Sequence, residues 1–217
     1  DTNNVDFMLE ETTMQFPLSS IFDGSREKYA QWIAQNPGTV MMYTCLNPQG
    51  DYLNKYIDKP VWQMRVQSWY SYAVDVTGHL HWAWDAGWAD AWTDGGANIG
   101  VNKTENLNLF NWKGDDFIVW PDIENNGVES SIRAASIRDG AEDYEVFHLL
   151  AQRGEDYETW VKEQIGSVVQ SNSSYTKDIE VMMAIREQIY RVANGEMDIY
   201  STAVSYTHLT LPTNREV

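Results

Sequence analysis

The stretch WPDIENNGVESSIRAASIRDGAEDYEVFHLL, residues 120–150, carries the strongest structural signal in the chain. A short apolar strand ends in Trp-Pro, a turn-rich loop follows, and a helix then opens with two arginines and a dense group of carboxylates. Gly140 falls inside that helix, where glycine costs roughly 1 kcal/mol relative to alanine. We therefore expect specific packing contacts, rather than helix propensity, to hold this helix in place.

Strands and helices alternate along the rest of the chain. Strands are predicted at residues 5–9, 39–45, 79–84 and 116–120, and helices at about 25–36, 60–75, 130–153, 156–170 and 176–194. The gaps between strands suit crossover connections, which indicates a parallel sheet in an α/β fold. Two architectures fit this pattern: the C-terminal half of a (β/α)8 TIM-type barrel with a helical C-terminal extension, or a doubly wound open sheet. No glycine-rich phosphate loop follows a strand, which weakens the nucleotide-binding form of the second.

Composition excludes several classes of partner. The net charge is −17 at pH 7, so nucleic acid and anionic membranes are poor partners. No apolar stretch is long enough to span a bilayer. Cys45 is the only cysteine, which excludes an internal disulfide and a cysteine-based zinc site. The sequence shows no spacing typical of a metal site, and no cofactor is predicted.

Aromatic residues are concentrated in the middle of the chain. The sequence contains 10 tryptophans and 12 tyrosines, and most of the tryptophans fall between residues 62 and 120. For any single tryptophan, core packing is the commoner explanation. Tryptophan is nevertheless rarely fully buried, and so many of them in loops suggest a surface on which flat ligand faces stack. Sugar rings and aromatic ligands both fit such a surface.

Residues just past the C-terminal ends of the strands are the candidates for a site, because that edge carries the chemistry of (β/α) barrels. They are aromatic residues, carboxylates and an amide: Glu10, Glu11, Tyr43, Cys45, Asn47, Trp82, Trp84, Asp85, Trp88, Trp120 and Asp122. A glycosidase needs a carboxylic acid and a second group that acts as nucleophile or orienter. The possible carboxylates are Glu10, Glu11, Asp85, Asp90 and Asp122, although each alone is more often a solvated loop residue.

The charged helix of residues 130–153 is predicted to be mainly structural. Either Ser130 or Ser131 suits its N-cap, and the spacing of Arg138 and Glu142 predicts an ion pair along one face. Arg133, near the start of the helix, is expected either to join a structural ion-pair network or to reach the ligand. Upstream, His79 and His81 alternate along a predicted strand, and we expect one of them to pack and the other to line the site.

Both ends of the chain look like truncations. The sequence starts at Asp1, without a methionine or a signal-like segment. Residues 203–217, AVSYTHLTLPTNREV, resemble a translated sequencing adaptor of the transposase type, and the similarity is carried by residues 204–213. We therefore expect residues 203–217 to be a non-native tail on a fragment of a longer protein.

Several motifs, in order, resemble the catalytic region of glycoside hydrolase family 123. They are MMYTCLNPQGDYLNKYIDKPVWQMRVQSWY, HLHWAWDAGW, the strand that ends in Trp-Pro, and SIRAASIRDGAEDYEVFHLL, in which RDGxEDYE is the most distinctive. The resemblance covers about residues 1–150. It implies a bacterial (β/α)8-type barrel, usually preceded by a β-sandwich and often followed by an uncharacterised domain. Residues 1–154 would then be the barrel half and residues 155–202 the extension, in a periplasmic, cell-surface or secreted protein.

The resemblance also implies a chemistry. Members act on N-acetylated hexosaminides, chiefly terminal β-N-acetylgalactosamine, by a substrate-assisted retaining mechanism. In it the 2-acetamido oxygen attacks the anomeric carbon, an Asp orients that oxygen, and the neighbouring Glu is the general acid. Glu10 and Glu11 differ from this pair in residue type and lie on what looks like the next strand. No catalytic residue is therefore assigned, and the pair is expected upstream of this chain.

The residues expected to line the sugar pocket are Tyr43, Trp82, Trp84, Asp85, Trp88 and Trp120. The partner implied is an N-acetylated hexosaminide, with no cofactor. Two other functions fit the same residues. The chain could belong to a non-catalytic carbohydrate-binding relative that kept the aromatic platform, or to a scaffold domain with an aromatic core and no ligand.

Overall fold

The computed structural model describes residues 5–84, 118–122 and 124–201, and within these ranges the fold is mixed α/β. The elements in chain order are α1 (Val5–Glu11), α2 (Ser19–Gly24), α3 (Arg26–Gln35), β1 (Met41–Thr44), α4 (Trp62–Ala73), β2 (Gly78–His81), β3 (Val119–Asp122), β4 (Gly127–Ser130), α5 (Ile132–Ala151), α6 (Glu155–Val168), β5 (Val169–Ser171), β6 (Ser174–Tyr175) and α7 (Ile179–Ala193). The predicted adaptor-derived tail lies outside the described residues and stays a prediction.

A parallel βαβ unit forms the centre of the described fold. Strands β1 and β2 pair in parallel, with Met41 opposite Gly78 and Thr44 opposite His81. Helix α4 supplies the crossover between them, as the alternation of elements predicted. Residues 15–18 run parallel to the other side of β1, through bridges from Gln15 to Val40 and from Leu18 to Tyr43.

The strand predicted at residues 5–9 is wrong, because these residues form helix α1. Val5 and Leu9 are both buried, and a separation of four residues places them on one helical face. Glu10 and Glu11 therefore lie at the exposed end of a helix and do not follow a strand. The place beside β1 is taken by the segment that contains Pro17, a residue whose missing N–H suits an edge position.

The strand that ends in Trp-Pro belongs to a hairpin. Strand β3 pairs antiparallel with β4, so it is not seen as a fourth parallel strand. The turn ends with Asn126 at a φ of 51°, directly before Gly127, the first residue of β4. The sequence predicted a turn-rich loop here but no second strand. The Asp122 carboxylate accepts hydrogen bonds from both the backbone and the side-chain amide of Asn125.

Among the described residues the strands form two-stranded sheets, and no closed barrel is present. The five predicted helices correspond to α3, α4, α5, α6 and α7. The short hairpin of β5 and β6, between the last two helices, was not predicted. Within the same residues, no helix is both long enough and apolar enough to cross a membrane.

Helix α5 is held by close packing, as expected from its glycine. A Cβ placed on Gly140 would lie 2.9 Å from the backbone oxygen of Arg65 and 2.9 Å from Oγ of Ser68, both in α4. Glycine therefore lets the two helices approach more closely than any other residue would. At the start of α5, Ser131 is the N-cap, and its side chain accepts a hydrogen bond from the backbone N–H of Ala134 at 3.1 Å.

A buried carboxylate, Asp143 of α5, ties three helices together. It is 0% exposed. Its oxygens accept hydrogen bonds from Arg65 Nε at 2.5 Å and Nη2 at 3.0 Å, Trp69 Nε1 at 2.9 Å, Arg186 Nε at 2.9 Å and Tyr190 Oη at 2.8 Å. Burial alone would raise the pKa of this carboxyl group, but the hydrogen bonds and the Arg65 charge outweigh burial and hold the pKa below its usual value.

Helices α6 and α7 and the β5–β6 hairpin share one hydrophobic core with the earlier described elements. That core includes Phe22, Met42, Trp69, Phe147, Ile165 and Ile189. In the turn between β5 and β6, the buried Asn172 donates from Nδ2 to Asp23 Oδ1 at 2.9 Å. The backbone carbonyl of Asn172 accepts a hydrogen bond from the backbone N–H of Leu53 at 2.6 Å. The domain boundary placed between residues 154 and 155 stays a prediction, although apolar packing crosses it.

Candidate active site

The two faces of the parallel sheet have different characters. Thr44 and both histidines of β2 lie on the face toward α4, where Thr44 is fully buried. On the opposite face Tyr43 is half-buried, and its register partner Leu80 is 48% exposed. The chain then continues past β2 with two tryptophans, Trp82 and Trp84, which are 63% and 42% exposed. An open apolar and aromatic surface therefore lies at the carboxyl end of the parallel strands.

Backbone hydrogen bonds bring several of the predicted lining residues to this edge. The Trp82 N–H donates to the carbonyl of Thr44 at 3.1 Å, next to Tyr43. The carbonyl of Trp84 accepts from Ile118 at 2.9 Å and Val119 at 3.1 Å, which brings β3 close to Trp84. The half-buried Trp120 follows in β3. Two further predicted lining residues, Asp85 and Trp88, lie outside the described residues, as does the candidate carboxylate Asp90.

The described residues contain no pair of carboxylates at the carboxyl end of the parallel strands. Glu10 and Glu11 are on α1, and Asp122 is engaged in the β3–β4 turn. The one described carboxylate with a raised pKa is Asp23. Burial raises the pKa of Asp23, although hydrogen bonds with Tyr70 and Asn172 oppose the rise. Because these partners are part of the packing between α2, α4 and the β5–β6 turn, we assign Asp23 a structural role.

A buried polar cluster under the open face was not found from the sequence. Lys55, only 3% exposed, donates from Nζ to Gln67 Oε1 at 2.6 Å and to Thr44 Oγ1 at 3.3 Å. The same hydroxyl lies 3.1 Å from His79 Nε2 and 3.0 Å from His81 Nδ1. Both histidines thus contact one residue, and the prediction that one packs while the other lines the site is wrong. Residues two apart on a strand share a face.

Arg133 is buried and belongs to the scaffold of this cluster. Its Nη1 donates to the backbone carbonyl of Lys55 at 2.7 Å, which links the start of α5 to the loop after β1. Farther along α5, the predicted ion pair between Arg138 and Glu142 is present on the surface at 3.5 Å. The thiol of Cys45 is not in a disulfide. Among the residues the structure describes, no group of three or more potential ligands could hold a metal ion.

His79 makes the stability of the fold sensitive to mild acid. Burial, then the charge of Lys55, then His81, lower the pKa of His79 well below its usual value of about 6.5. As the pH falls through about 6.5, His79 therefore binds a proton in the unfolded chain but not in the folded chain. We expect the free energy of unfolding to fall below about pH 6.5, by up to about 1.4 kcal/mol per pH unit.

Urea denaturation between pH 7.5 and 5 measures this effect. His79→Gln keeps a donor for Thr44 without a titrating ring, so the acid-side loss should shrink. Leu149→Ala, a change at an exposed side chain on α5 that does not titrate, should leave the slope as it is in the unaltered chain. An unchanged slope in His79→Gln would assign the pH dependence to other groups.

The comparison with known proteins now decides the family. A family model described as glycoside hydrolase 123, catalytic domain, matches residues 2–150. The chain belongs to this family. The match ends within α5, so α6, α7 and the hairpin between them lie beyond the matched residues. No curated protein matches the chain.

A solved structure supports the same fold. A family 123 glycoside hydrolase from Clostridium perfringens, reported in a structural analysis of glycolipid glycan hydrolysis, is similar with a TM-score of 0.56 and 19% sequence identity. The similarity covers 83% of this chain and 31% of that one. This family 123 chain therefore spans about a third of the length of the solved relative. Since 83% of this chain is more than residues 1–150, the similarity extends past residue 150.

Proposed function

We propose that this chain is part of a glycoside hydrolase that, in its longer form, cleaves terminal β-N-acetylgalactosamine or a related N-acetylated hexosaminide. The observation that carries the proposal is the exposed pair Trp82 and Trp84, at the carboxyl end of a parallel sheet in a chain of this family. Large exposed aromatic side chains at such an edge are the expected platform for the apolar face of a sugar ring. Tyr43 and Trp120 complete the proposed wall.

The proposed architecture is half of a (β/α)8 barrel. The β1–α4–β2 unit has the parallel connectivity of such a barrel, and residues 15–18 add a third parallel segment. Phe16 and Leu80, at 45% and 48% exposed, lie on the surface that would face the barrel interior. In a complete barrel this surface packs in layers against the remaining strands. These strands would come from the part of the longer protein that this chain does not span.

The proposed reaction is substrate-assisted and retains the anomeric configuration. The 2-acetamido oxygen of the substrate attacks the anomeric carbon, and a general acid protonates the departing glycosidic oxygen. A nearby carboxylate orients the acetamido group, so this scheme departs from the usual pair of enzymic carboxylates. The described residues offer aromatic walls but no strand-end carboxylate pair. We assign the acid and its partner to an earlier part of the longer protein, because the resemblance to the family implies an Asp-Glu pair on an earlier strand.

We expect the 217-residue chain to release no nitrophenol from nitrophenyl N-acetyl-β-galactosaminide, because we assign the general acid to a part of the longer protein that this chain does not span. The measurement is a continuous absorbance assay, with an active hexosaminidase as the positive control. Robust turnover by the chain would show that the acid lies within it. Turnover that survives in Trp82→Ala and Trp84→Ala would also argue against the proposed wall.

We expect the tryptophan wall to bind N-acetylgalactosamine weakly. Trp82→Ala should reduce the affinity about tenfold, equivalent to about 1.4 kcal/mol of binding free energy. Leu149→Ala, which removes a side chain exposed on α5, is the matched control and should bind like the unaltered chain. Isothermal titration calorimetry gives both affinities.

The same titration separates the proposed enzyme from its alternatives. Binding by this chain, together with hydrolysis by the longer protein, supports the glycoside hydrolase. Binding without hydrolysis in the longer protein supports a carbohydrate-binding relative. Absence of binding in both would support a scaffold domain.

A further inference from the structure

The three polar neighbours of Thr44 restrict how protons can be arranged in the buried cluster around it. The Thr44 hydroxyl has one proton and two lone pairs. Its three neighbours are Lys55 Nζ at 3.3 Å, His79 Nε2 at 3.1 Å and His81 Nδ1 at 3.0 Å. The lysine ammonium has only protons to offer, so it uses one lone pair. The hydroxyl must therefore accept from one imidazole and donate to the other.

The other nitrogen of His79 decides which imidazole is the donor. Nδ1 of His79 is buried and has no hydrogen-bond partner. A buried N–H without an acceptor costs more than a buried lone pair without a donor, and such orphaned N–H groups are rare in proteins. The His79 proton therefore sits on Nε2 and is donated to Thr44. Thr44 in turn donates to His81 Nδ1, which leaves His81 neutral with its own proton on Nε2.

We propose that Thr44, His79 and Lys55 form a positioning network that fixes His81 as a neutral imidazole with its proton on Nε2. By holding the end of β2 in place, the network also positions Trp82 to contact the sugar. His81 is the last residue of β2, and Trp82 follows it directly. The Trp82 N–H also donates to the carbonyl of Thr44, so Thr44 forms hydrogen bonds with both His81 and Trp82. This inference rests on the proposed sugar site for its functional part only.

The supports of the network come from β1, the loop after it, α4 and α5. Thr44 lies at the end of β1, and Lys55 lies in the loop that follows it. Gln67 of α4 accepts from Lys55 at 2.6 Å, and Arg133 of α5 holds the Lys55 carbonyl at 2.7 Å. A buried lysine is rare unless it is paired. Here the Lys55 ammonium donates to one lone pair of Thr44, and the two imidazoles use the other lone pair and the hydroxyl proton. The hydroxyl at position 44 is thus the centre of the network.

Nuclear magnetic resonance of the nitrogen-15-labelled full chain tests the proton arrangement. Long-range proton–nitrogen spectra distinguish the protonated from the unprotonated ring nitrogen. Near pH 7.5, we expect both His79 and His81 to be neutral with the proton on Nε2. A proton on Nδ1 of His81 would overturn the network.

Substitution at position 44 tests the positioning role. Thr44→Val keeps the shape but removes the hydroxyl, and we expect about tenfold weaker binding of N-acetylgalactosamine together with an altered His81 signal. Thr44→Ser restores the hydroxyl and should recover most of the affinity. Thr77→Val, the same change before β2 at the opposite end of the sheet, should have no effect on binding. Unchanged affinity in a folded Thr44→Val protein would refute the positioning role.

Two results keep this proposal separate from the proposed function. If Thr44→Val does not fold, the ring-proton positions in the unaltered chain and the affinity of Thr44→Ser still decide the proposal. If neither the unaltered chain nor the longer protein binds N-acetylgalactosamine, the proposed function fails and the positioning role fails with it. The tautomer of His81 then confirms or refutes the proton arrangement on its own.

Discussion

Asp143→Ala is expected to destabilise the fold by about 3–5 kcal/mol, the usual effect of removing one partner from a buried ion pair. The carboxylate of Asp143 is fully buried and accepts from Arg65, Trp69, Arg186 and Tyr190. Without it, the mostly buried side chains of Arg65 and Arg186 lose the anion that they share, although Arg65 stays 3.7 Å from Asp139. Chemical denaturation monitored by circular dichroism gives the free energy of unfolding.

The neighbouring Glu142→Ala is the matched control for this prediction. Glu142 is exposed and pairs with the exposed Arg138 at 3.5 Å, and such surface pairs contribute between about 0 and 1 kcal/mol. The control should therefore unfold close to the unaltered chain. Equal stability of Asp143→Ala and Glu142→Ala would mean that the buried carboxylate is not the centre of helix packing.

Acid should also show how much Asp143 contributes to stability, because protonation of this carboxylate is linked to unfolding. The pKa of Asp143 is lowered in the folded chain, so the unfolded chain binds its proton first as the pH falls. The stabilisation is complete above the ordinary aspartate pKa of about 3.9 and is lost as the pH falls toward the folded value. Below pH 4, the unaltered chain should therefore lose stability faster than Asp143→Ala does.

Gly140→Ala is expected to cost about 1–3 kcal/mol, the usual penalty of overpacking. Its Cβ would lie 2.9 Å from the backbone oxygen of Arg65, so the backbone of α4 would have to move. The gain in helix propensity, about 1 kcal/mol, offsets only part of this cost. Thermal unfolding of the variant should therefore occur at a lower temperature.

Gly166→Ala is the matched control in a second helix. Gly166 lies in α6, and a Cβ there would meet nothing within 4 Å. Only the propensity term remains, so this variant should be more stable by about 0.5–1 kcal/mol. The prediction for Gly140 is refuted if the two alanine variants shift the unfolding temperature in the same direction.

The sequence predicted features that depend on local patterns. The helix around Gly140, the Ser131 cap and the ion pair of Arg138 with Glu142 follow from spacing alone, and all are confirmed. The strand predicted at residues 5–9 failed because a short apolar run does not distinguish a strand from a helix. There, the spacing of Val5 and Leu9 was the better guide.

The buried cluster could not be predicted for a different reason. Lys55 lies in a loop with no periodic pattern, and its burial results from α4, α5 and β1 closing around it. The hydroxyl of Thr44 and the two histidines become partners only through the register between β1 and β2. Register is a tertiary property, so the residues of the cluster carry no local signal of their association.

Asn172 has a consequence for how this protein can be divided or recombined. Its turn lies beyond the stretch that defines the family, yet it bonds Leu53, which begins the short run of buried residues that contains Lys55. A chimera that joins residues 1–150 to the tail of a distant relative would inherit the aromatic wall without the turn that supports the loop beneath it. The structural unit is therefore longer than the stretch that matches the family, and exchange between relatives should succeed only when the β5–β6 hairpin is transferred together with the parallel strands β1 and β2.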